Sequence, residues 1–166
     1  MGTQLFWIDG PWPGKLAMSA RPRGGDWLED DLGGWHDEGV DVVVSLLTPG
    51  EVAELDLQSE AKLVEKRKMK FVSFPIPDRQ VPASRSALAA TLEKVNADLA
   101  SGKNVLVHCR QGIGRSGMVA ACLLVTRGRN SSEAVDQLSA LRGVPVPETT
   151  EQRNWIDQYA ALLAAK

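Results

Sequence analysis

Short apolar runs alternate along this chain with longer segments whose apolar residues recur at helical spacing. Residues 40–47 form a β-branched run that predicts a buried strand, and residues 71–74 and 105–107 predict two more. Residues 84–101 predict a long helix that Ser84 caps. Its apolar residues share one face: Leu88, Leu92, Val95 and Leu99. Because strands alternate with helices, the pattern predicts an α/β fold with a mostly parallel central sheet flanked by helices.

The rest of the chain extends this alternation. Residues 16–18 predict a short edge strand, and residues 26–38 predict a weak helix that Gly33 and Gly34 interrupt. Further helices are expected from Thr48-Pro49, around 62–70, over 116–126, from Ser131 and over 148–165. The 62–70 segment carries a run of lysines and arginine, which we interpret as a solvated face and not a docking patch.

Composition narrows the class of protein. The chain has 166 residues, 43% hydrophobic and 24% charged, which predicts one domain over residues 1–166. A net charge of −2 argues against nucleic acid or an acidic membrane as partner, and no apolar run is long enough to span a bilayer. Cys122 falls in an apolar helix and is interpreted as a core residue. Trp7, Trp12, Trp27 and Trp35 are interpreted as packing anchors.

The candidate chemistry lies in residues 109–115, here called the cysteine loop. The loop follows the 105–107 strand and precedes the 116–126 helix, so backbone N–H groups and the helix dipole converge on one point. Gly112 and Gly114 allow the chain to turn and to approach a ligand closely. The sequence therefore predicts a cradle for an anion directly over the Cys109 sulfur.

The side chains around this cradle suit nucleophilic chemistry. Helix N-termini and cations favour the thiolate, which is the reactive form of a cysteine such as Cys109. Arg115 presents a planar fork that matches two oxygens of an oxyanion. Ser116 is placed to donate its hydroxyl to the sulfur, and His108 is expected to orient the loop through hydrogen bonds. The alternative is a buried cysteine beside a loop that merely needs glycine, and the added histidine and arginine disfavour it.

The stretch from His108 to Gly117 resembles the signature of the cysteine-dependent protein tyrosine and dual-specificity phosphatases. The resemblance implies the cysteine-phosphatase fold and a two-step reaction in which Cys109 attacks phosphorus and water then releases phosphate. It implies that Arg115 binds the phosphoryl oxygens and that Ser116 helps the thiolate leave. The remaining loop residues would bind the substrate phosphate: Arg110, Gln111, Gly112, Ile113 and Gly114.

Two further segments resemble parts of that family. Residues 76–82, here called the acid loop, are similar to its Trp-Pro-Asp loop, which implies that Asp78 is the general acid and later the general base. Ile76 stands in place of the tryptophan and Gln80 in place of a glycine, so loop closure is expected to differ. Residues 148–156 resemble the glutamine loop, in which Gln152 matches the second water-orienting glutamine and Glu148 replaces the first.

Three functions follow from the resemblance. The first is hydrolysis of protein phosphotyrosine, with phosphoserine and phosphothreonine left open because the Lys-Asn-Arg-Tyr segment that deepens the pocket is not seen. The second is the same chemistry on a non-protein phosphate such as a phosphoinositide, which Gln111 and Ile113 at interior loop positions disfavour. The third is phosphoprotein binding without turnover, which the presence of Cys109, Arg115 and Asp78 disfavours. We expect a cytoplasmic monomer that needs no cofactor or metal ion.

Overall fold

One five-stranded sheet organises the part of the chain that the computed structural model describes, residues 3–165. The strands are β1 Phe6–Ile8, β2 Leu16–Ser19, β3 Val42–Ser45, β4 Lys70–Ser73 and β5 Val105–His108. They lie in the order β1-β2-β5-β3-β4, and all neighbours are parallel except β1 and β2. The predicted fold class is therefore confirmed. The central position of β5 brings its carboxyl end, where the cysteine loop begins, to the middle of one edge of the sheet.

Seven helices cover the two faces of the sheet within these described residues. They are α1 Leu28–Asp37, α2 Pro49–Glu54, α3 Glu60–Lys66, α4 Arg85–Ala100, α5 Arg115–Thr126, α6 Ser131–Arg142 and α7 Thr150–Ala164. Side chains of β3 alternate between two cores: Val42 and Val44 pack with apolar residues of α4 to α7, whereas Val43 packs with α1 and α3. Every strand near the site is thus covered on both faces, as its continuous apolar run predicts.

The structure corrects the position of the strand at residues 16–18. It is not an edge strand, because β2 pairs with β1 on one side and with β5 on the other. The true edge on this side is β1, whose three residues are too short a run to stand out among the nearby prolines and glycines. β1 pairs with β2 because the chain turns back between the two strands, and no local sequence pattern predicts this pairing.

Two other predictions about the amino-terminal region are wrong. Gly33 and Gly34 do not interrupt α1, since the helix runs unbroken from Leu28 to Asp37. A Cβ atom on Gly33 would lie 3.1 Å from the Arg67 guanidinium, so this glycine serves a close approach between α1 and the end of α3. Trp27 is 56% exposed and stacks against the Arg23 guanidinium, so it is not a packing anchor in the core.

Other sequence predictions are confirmed. The apolar face of α4 is buried, and Trp12 and Trp35 are core residues. The lysines of the basic run lie exposed, and their interpretation as a solvated face stays a prediction: Lys62, Lys66, Lys68 and Lys70. Cys122 is buried within α5, and burial raises the pKa of its thiol far above the ordinary range. No helix within residues 3–165 is long and apolar enough to cross a membrane.

Candidate active site

The backbone of the cysteine loop is shaped by two glycines with little room beside them. Gly112 has a φ of +73°, and a Cβ atom there would lie 2.4 Å from the carbonyl carbon of Ser19. A Cβ atom on Gly114 would lie 2.9 Å from a carboxylate oxygen of Glu148. The loop therefore packs tightly between the end of β2 and the segment before α7, which fixes its path over the first turn of α5.

Cys109 lies at the base of this loop and is 3% exposed. Its sulfur is 2.8 Å from the Ser116 hydroxyl oxygen, and the Gly112 N–H donates to it at 3.3 Å. The structure thus brings together the predicted nucleophile and the predicted hydroxyl partner. If Cys109 is a thiolate, the Ser116 hydroxyl donates to the sulfur together with the Gly112 N–H, and both hydrogen bonds stabilise the negative charge.

Arg115 is buried in the first turn of α5 and is held by a carboxylate that the sequence analysis missed. Its Nη1 and Nη2 donate to the two oxygens of Glu51 at 2.6 and 2.9 Å, and Nη1 also donates to the Ile76 carbonyl at 2.8 Å. Among residues 3–165, the buried Nε of Arg115 has no hydrogen-bond partner. That N–H is a donor which an oxyanion in the cysteine loop would satisfy.

The charges of this pair are mutually stabilised. Burial opposes ionisation of Glu51, but hydrogen bonds from Arg115 and from Thr48 outweigh it and lower its pKa from 4.5 to about 2. Burial alone would lower the pKa of Arg115, yet Glu51, Cys109 and Asp78 together raise it above its usual value. Glu51 also closes a capping box with Thr48 at the start of α2, and that local signature is visible in the sequence.

The Asp78 side chain extends from the acid loop to the Arg115 guanidinium. Its Oδ1 lies 3.2 Å from Nη2 of Arg115, and 52% of its side chain is exposed. Ile76 is fully buried, and its N–H and C=O bond to Leu46 and Arg115. The isoleucine that replaces the family's tryptophan therefore anchors the start of the acid loop in the core.

Gln152 is buried at the start of α7 and contacts the acid loop. Its amide nitrogen donates to the Gln80 carbonyl at 3.1 Å, while its amide oxygen accepts from the N–H groups of Glu148 and Thr149. The Glu148 carboxylate forms an ion pair with Arg79 at 3.0 Å. The two positions that resemble the glutamine loop therefore both bind the acid loop.

His108 is buried directly before the nucleophile. Its Nε2 lies 2.6 Å from the Glu60 carboxylate, and its Nδ1 lies 3.4 Å from the Cys109 carbonyl oxygen. A ring held at both nitrogens has a fixed orientation, which agrees with the expected role of His108 in ordering the loop. Glu60 comes from α3, and nothing in its local sequence distinguished it from the surface carboxylates of that helix.

Arg142 is a further arginine near the cysteine loop, and the sequence analysis did not identify it. From the last turn of α6 it donates to the carbonyls of Gly112 at 3.0 Å and Gln111 at 3.2 Å, and its guanidinium lies 3.9 Å from the centroid of the Phe6 ring. Burial lowers the pKa of Arg142. Because it binds loop carbonyls, Arg142 favours the backbone orientation in which those carbonyls point away from the anion cradle.

The remaining loop side chains differ in their surroundings. Arg110 is partly buried and pairs with Glu54 at 3.3 Å, Gln111 is exposed, and Ile113 is partly buried against the core. Their contribution to phosphate binding stays a prediction, for which backbone N–H groups before a helix are suitable donors. Within the described chain, no group of three His, Cys, Asp or Glu side chains is placed to hold a metal ion.

Comparison with known proteins agrees with this geometry. Residues 5–157 match the family model of the Swiss Army Knife protein, DSP-PTPase phosphatase domain. The chain belongs to this family of dual-specificity and tyrosine phosphatase domains, which confirms the resemblance carried by the cysteine loop. Cyclin-dependent kinase inhibitor 3 of Sus scrofa is 31% identical over 129 residues, covering 76% of this chain and 60% of that protein. The chain thus spans about 60% of that relative's length.

Solved structures share the fold. A kinase associated phosphatase whose catalytic-site cysteine is replaced by serine has a TM-score of 0.89 at 22% identity, with 100% of this chain and 98% of that chain covered. The active form of the phosphatase Tk-PTP has a TM-score of 0.77 at 29% identity, with 95% and 96% covered. The arrangement of sheet, cysteine loop and flanking helices is therefore that of cysteine-dependent phosphatases.

Proposed function

We propose that this protein hydrolyses phosphate monoesters on proteins, with phosphotyrosine as the primary substrate, through a phosphocysteine intermediate. One observation carries the proposal. Asp78 Oδ1 lies 3.2 Å from the Arg115 guanidinium, whose helix begins directly beside the Cys109–Ser116 pair. A nucleophile, an oxyanion clamp and a carboxyl group thus meet at one point, and phosphoryl transfer through a thiolate needs these three groups.

Binding of the phosphoryl group uses the cysteine loop. Loop N–H groups and the amino-terminal end of α5 supply partial positive charge, and Arg115 supplies a full one. The unpartnered Nε of Arg115 and its Nη2 form one edge of the guanidinium, which matches two phosphoryl oxygens. Glu51 binds both terminal nitrogens of Arg115 and so fixes the direction of that edge, while the Asp78 carboxyl on Nη2 gives way to a phosphoryl oxygen. The fit lowers the entropic cost of aligning phosphorus with the sulfur.

In the first step, the Cys109 thiolate attacks phosphorus in line with the ester oxygen. An S–P bond forms as the P–O bond to the leaving group breaks, and the protonated Asp78 carboxyl gives its proton to the departing oxygen. The alcohol or phenol leaves neutral, and Asp78 becomes a carboxylate. Asp78 is half-exposed at the mouth of the loop, so it can reach a leaving group that extends into solvent.

In the second step, the Asp78 carboxylate takes a proton from a water molecule that attacks the phosphocysteine. A P–O bond forms, the S–P bond breaks, and inorganic phosphate leaves while Cys109 returns as a thiolate. The Ser116 hydroxyl, 2.8 Å from the sulfur, stabilises the thiolate as it departs. Gln152 lies beside the loop, and we assign it a supporting role in this step through its hold on the acid loop.

Turnover of an aryl phosphate tests the reaction, and a substrate panel tests the class of substrate. We expect phosphotyrosine peptides to be hydrolysed fastest, phosphothreonine and phosphoserine peptides more slowly, and a phosphoinositide not at all. If the phosphoinositide is hydrolysed fastest, the substrate is a lipid and not a protein, and the phosphocysteine mechanism still holds. Binding of a phosphopeptide with no turnover would make the protein a recognition module.

The remaining assignments are also proposals. We propose that residues 1–166 act as a single catalytic domain and as a monomer in the cytoplasm, where a reducing environment keeps Cys109 a free thiol. Light scattering coupled to gel filtration tests the monomer, because a dimer would have twice the mass. Relatives include a cyclin-dependent kinase inhibitor and a kinase associated phosphatase, so phosphorylated kinases are a reasonable first group of protein substrates to assay.

A further inference from the structure

The acid loop is tied to the start of α7 by two contacts on consecutive residues. Arg79 Nη1 lies 3.0 Å from Oε2 of Glu148, and the Gln80 carbonyl accepts from the Gln152 amide at 3.1 Å. Both residues directly follow Asp78. The contacts therefore act on the carboxyl-terminal side of the acid loop, whereas the buried Ile76 holds the amino-terminal side.

Asp78 itself has little to hold it. Half of its side chain is exposed, and its ion pair with Arg115 involves a carboxyl oxygen, Oδ1. Its position beside the Arg115 guanidinium therefore depends on the backbone at residues 76 to 80. Arg79 adopts a φ of +63°, which is uncommon for a residue other than glycine, and its side chain is directed toward Glu148. A contact that holds Arg79 in this conformation also holds the backbone of Asp78.

Glu148 spans the acid loop and the cysteine loop. One of its carboxylate oxygens pairs with Arg79, and the other would lie 2.9 Å from a Cβ atom on Gly114. A carboxylate offers only acceptors, and one of its oxygens is already used by a cation. Glu148 thus packs against the cysteine loop while its carboxylate pairs with the acid loop, so the residue that departs from the glutamine pattern has a partner in Arg79.

We propose that Glu148 is a positioning residue that acts through Arg79 to hold Asp78 beside the Arg115 guanidinium at the cysteine loop. The proposal rests on the proposed function, because it concerns the proton that Asp78 delivers. Loss of the Arg79–Glu148 pair lets the acid loop open more often, and the leaving group is then protonated less often. The effect must depend on the leaving group, since a weakly basic oxyanion departs without a proton and a strongly basic one does not.

The test compares two aryl phosphates. Phenyl phosphate has a strongly basic leaving group and 4-nitrophenyl phosphate a weakly basic one. Glu148→Gln and Arg79→Met should each lower kcat/KM for phenyl phosphate by about two- to fivefold, the range expected for a partly exposed ion pair, and change kcat/KM for 4-nitrophenyl phosphate by less than twofold. The comparison uses kcat/KM because it reports the steps up to formation of the phosphocysteine, whereas kcat also contains the second step, in which Asp78 acts on water for both substrates. The double variant should lose no more than either single variant, because the two residues form one contact.

Glu151→Gln is the matched control. It removes a carboxylate from the first turn of α7, three residues after Glu148, and it should leave both rates unchanged. Equal losses on the two substrates, no loss on either, or additive losses in the double variant would overturn the positioning role. Asp78→Asn separates this outcome from failure of the proposed function. If Asp78→Asn selectively slows hydrolysis of phenyl phosphate and Glu148→Gln does not, only the positioning role of Glu148 is wrong. If Asp78→Asn slows hydrolysis of both substrates equally, the assignment of Asp78 as the general acid is wrong.

Discussion

The Glu51 carboxylate accepts hydrogen bonds from both terminal nitrogens of Arg115, at 2.6 and 2.9 Å, although the two residues come from different helices. The carboxylate neutralises a buried guanidinium and fixes the direction in which its remaining N–H groups point. Arg115 is therefore oriented before any anion arrives, and its free Nε–H already points in a fixed direction.

Loss of the Glu51 carboxylate should cost both stability and phosphate affinity. Glu51→Ala removes the bidentate partner of a buried guanidinium and leaves it the half-exposed Asp78 carboxyl, so we expect the free energy of unfolding to fall by about 3 kcal/mol. Glu54→Ala removes a carboxylate from an exposed pair with Arg110 on the same helix and should cost less than about 1 kcal/mol. Urea unfolding of the two variants tests the difference, and similar losses would contradict the account of Glu51.

The Glu51–Arg115 pair also predicts how stability depends on pH. The pKa of Glu51 is lowered from 4.5 to about 2 in the folded protein, so its contribution is complete above the unfolded value and is lost as the pH falls toward 2. That contribution amounts to at most about 3 kcal/mol. The stability advantage of the native chain over Glu51→Gln should therefore shrink steadily below about pH 5 in urea titrations. If the stability difference between the two proteins stays constant across this range, pairing with Arg115 does not lower the pKa of Glu51.

The sequence was sufficient for the central part of the fold. Apolar runs predicted β3 and β5, helical spacing predicted the buried face of α4, and a local pattern identified the cysteine loop. Glu60 and Arg142 were not predictable, because their partners lie on distant segments and no local pattern reports such pairing. Glu51 is intermediate: its capping box is local, but its contact with Arg115 exists only after α2 and α5 pack at one edge of the sheet.

Arg142 should control the shape of the cysteine loop. Arg142→Lys keeps the charge but loses the fork that reaches the carbonyls of Gln111 and Gly112, so we expect the inhibition constant of inorganic phosphate to rise about three- to tenfold. Arg153→Lys makes the same exchange on the exposed surface of α7 and should leave phosphate inhibition unchanged. If phosphate inhibits both variants equally, Arg142 does not control the shape of the cysteine loop.

The Glu60–His108 pair should behave as a buried hydrogen bond that orders the nucleophile. Glu60→Ala removes the only contact found for Nε2 of His108 within residues 3–165 and should destabilise the fold by about 2 kcal/mol, the cost of leaving a buried polar group without its partner. Glu60→Gln keeps an acceptor for the ring and should cost clearly less. Urea unfolding compares stability, and the rate of Cys109 alkylation by iodoacetamide reports the order of the loop. If the two variants prove equally stable, the hydrogen bond is not what holds His108.

The phosphocysteine intermediate is the central claim, and its direct detection is the sharpest test. Ser116→Ala removes the hydroxyl 2.8 Å from the sulfur, so it should slow release of the thiolate and let the intermediate accumulate during turnover of 4-nitrophenyl phosphate. Acid quenching followed by mass spectrometry should find one phosphate on the peptide that contains Cys109, and none after the further change Cys109→Ser. Steady turnover by the Cys109→Ser protein, or phosphate bound to a different residue, would contradict the account.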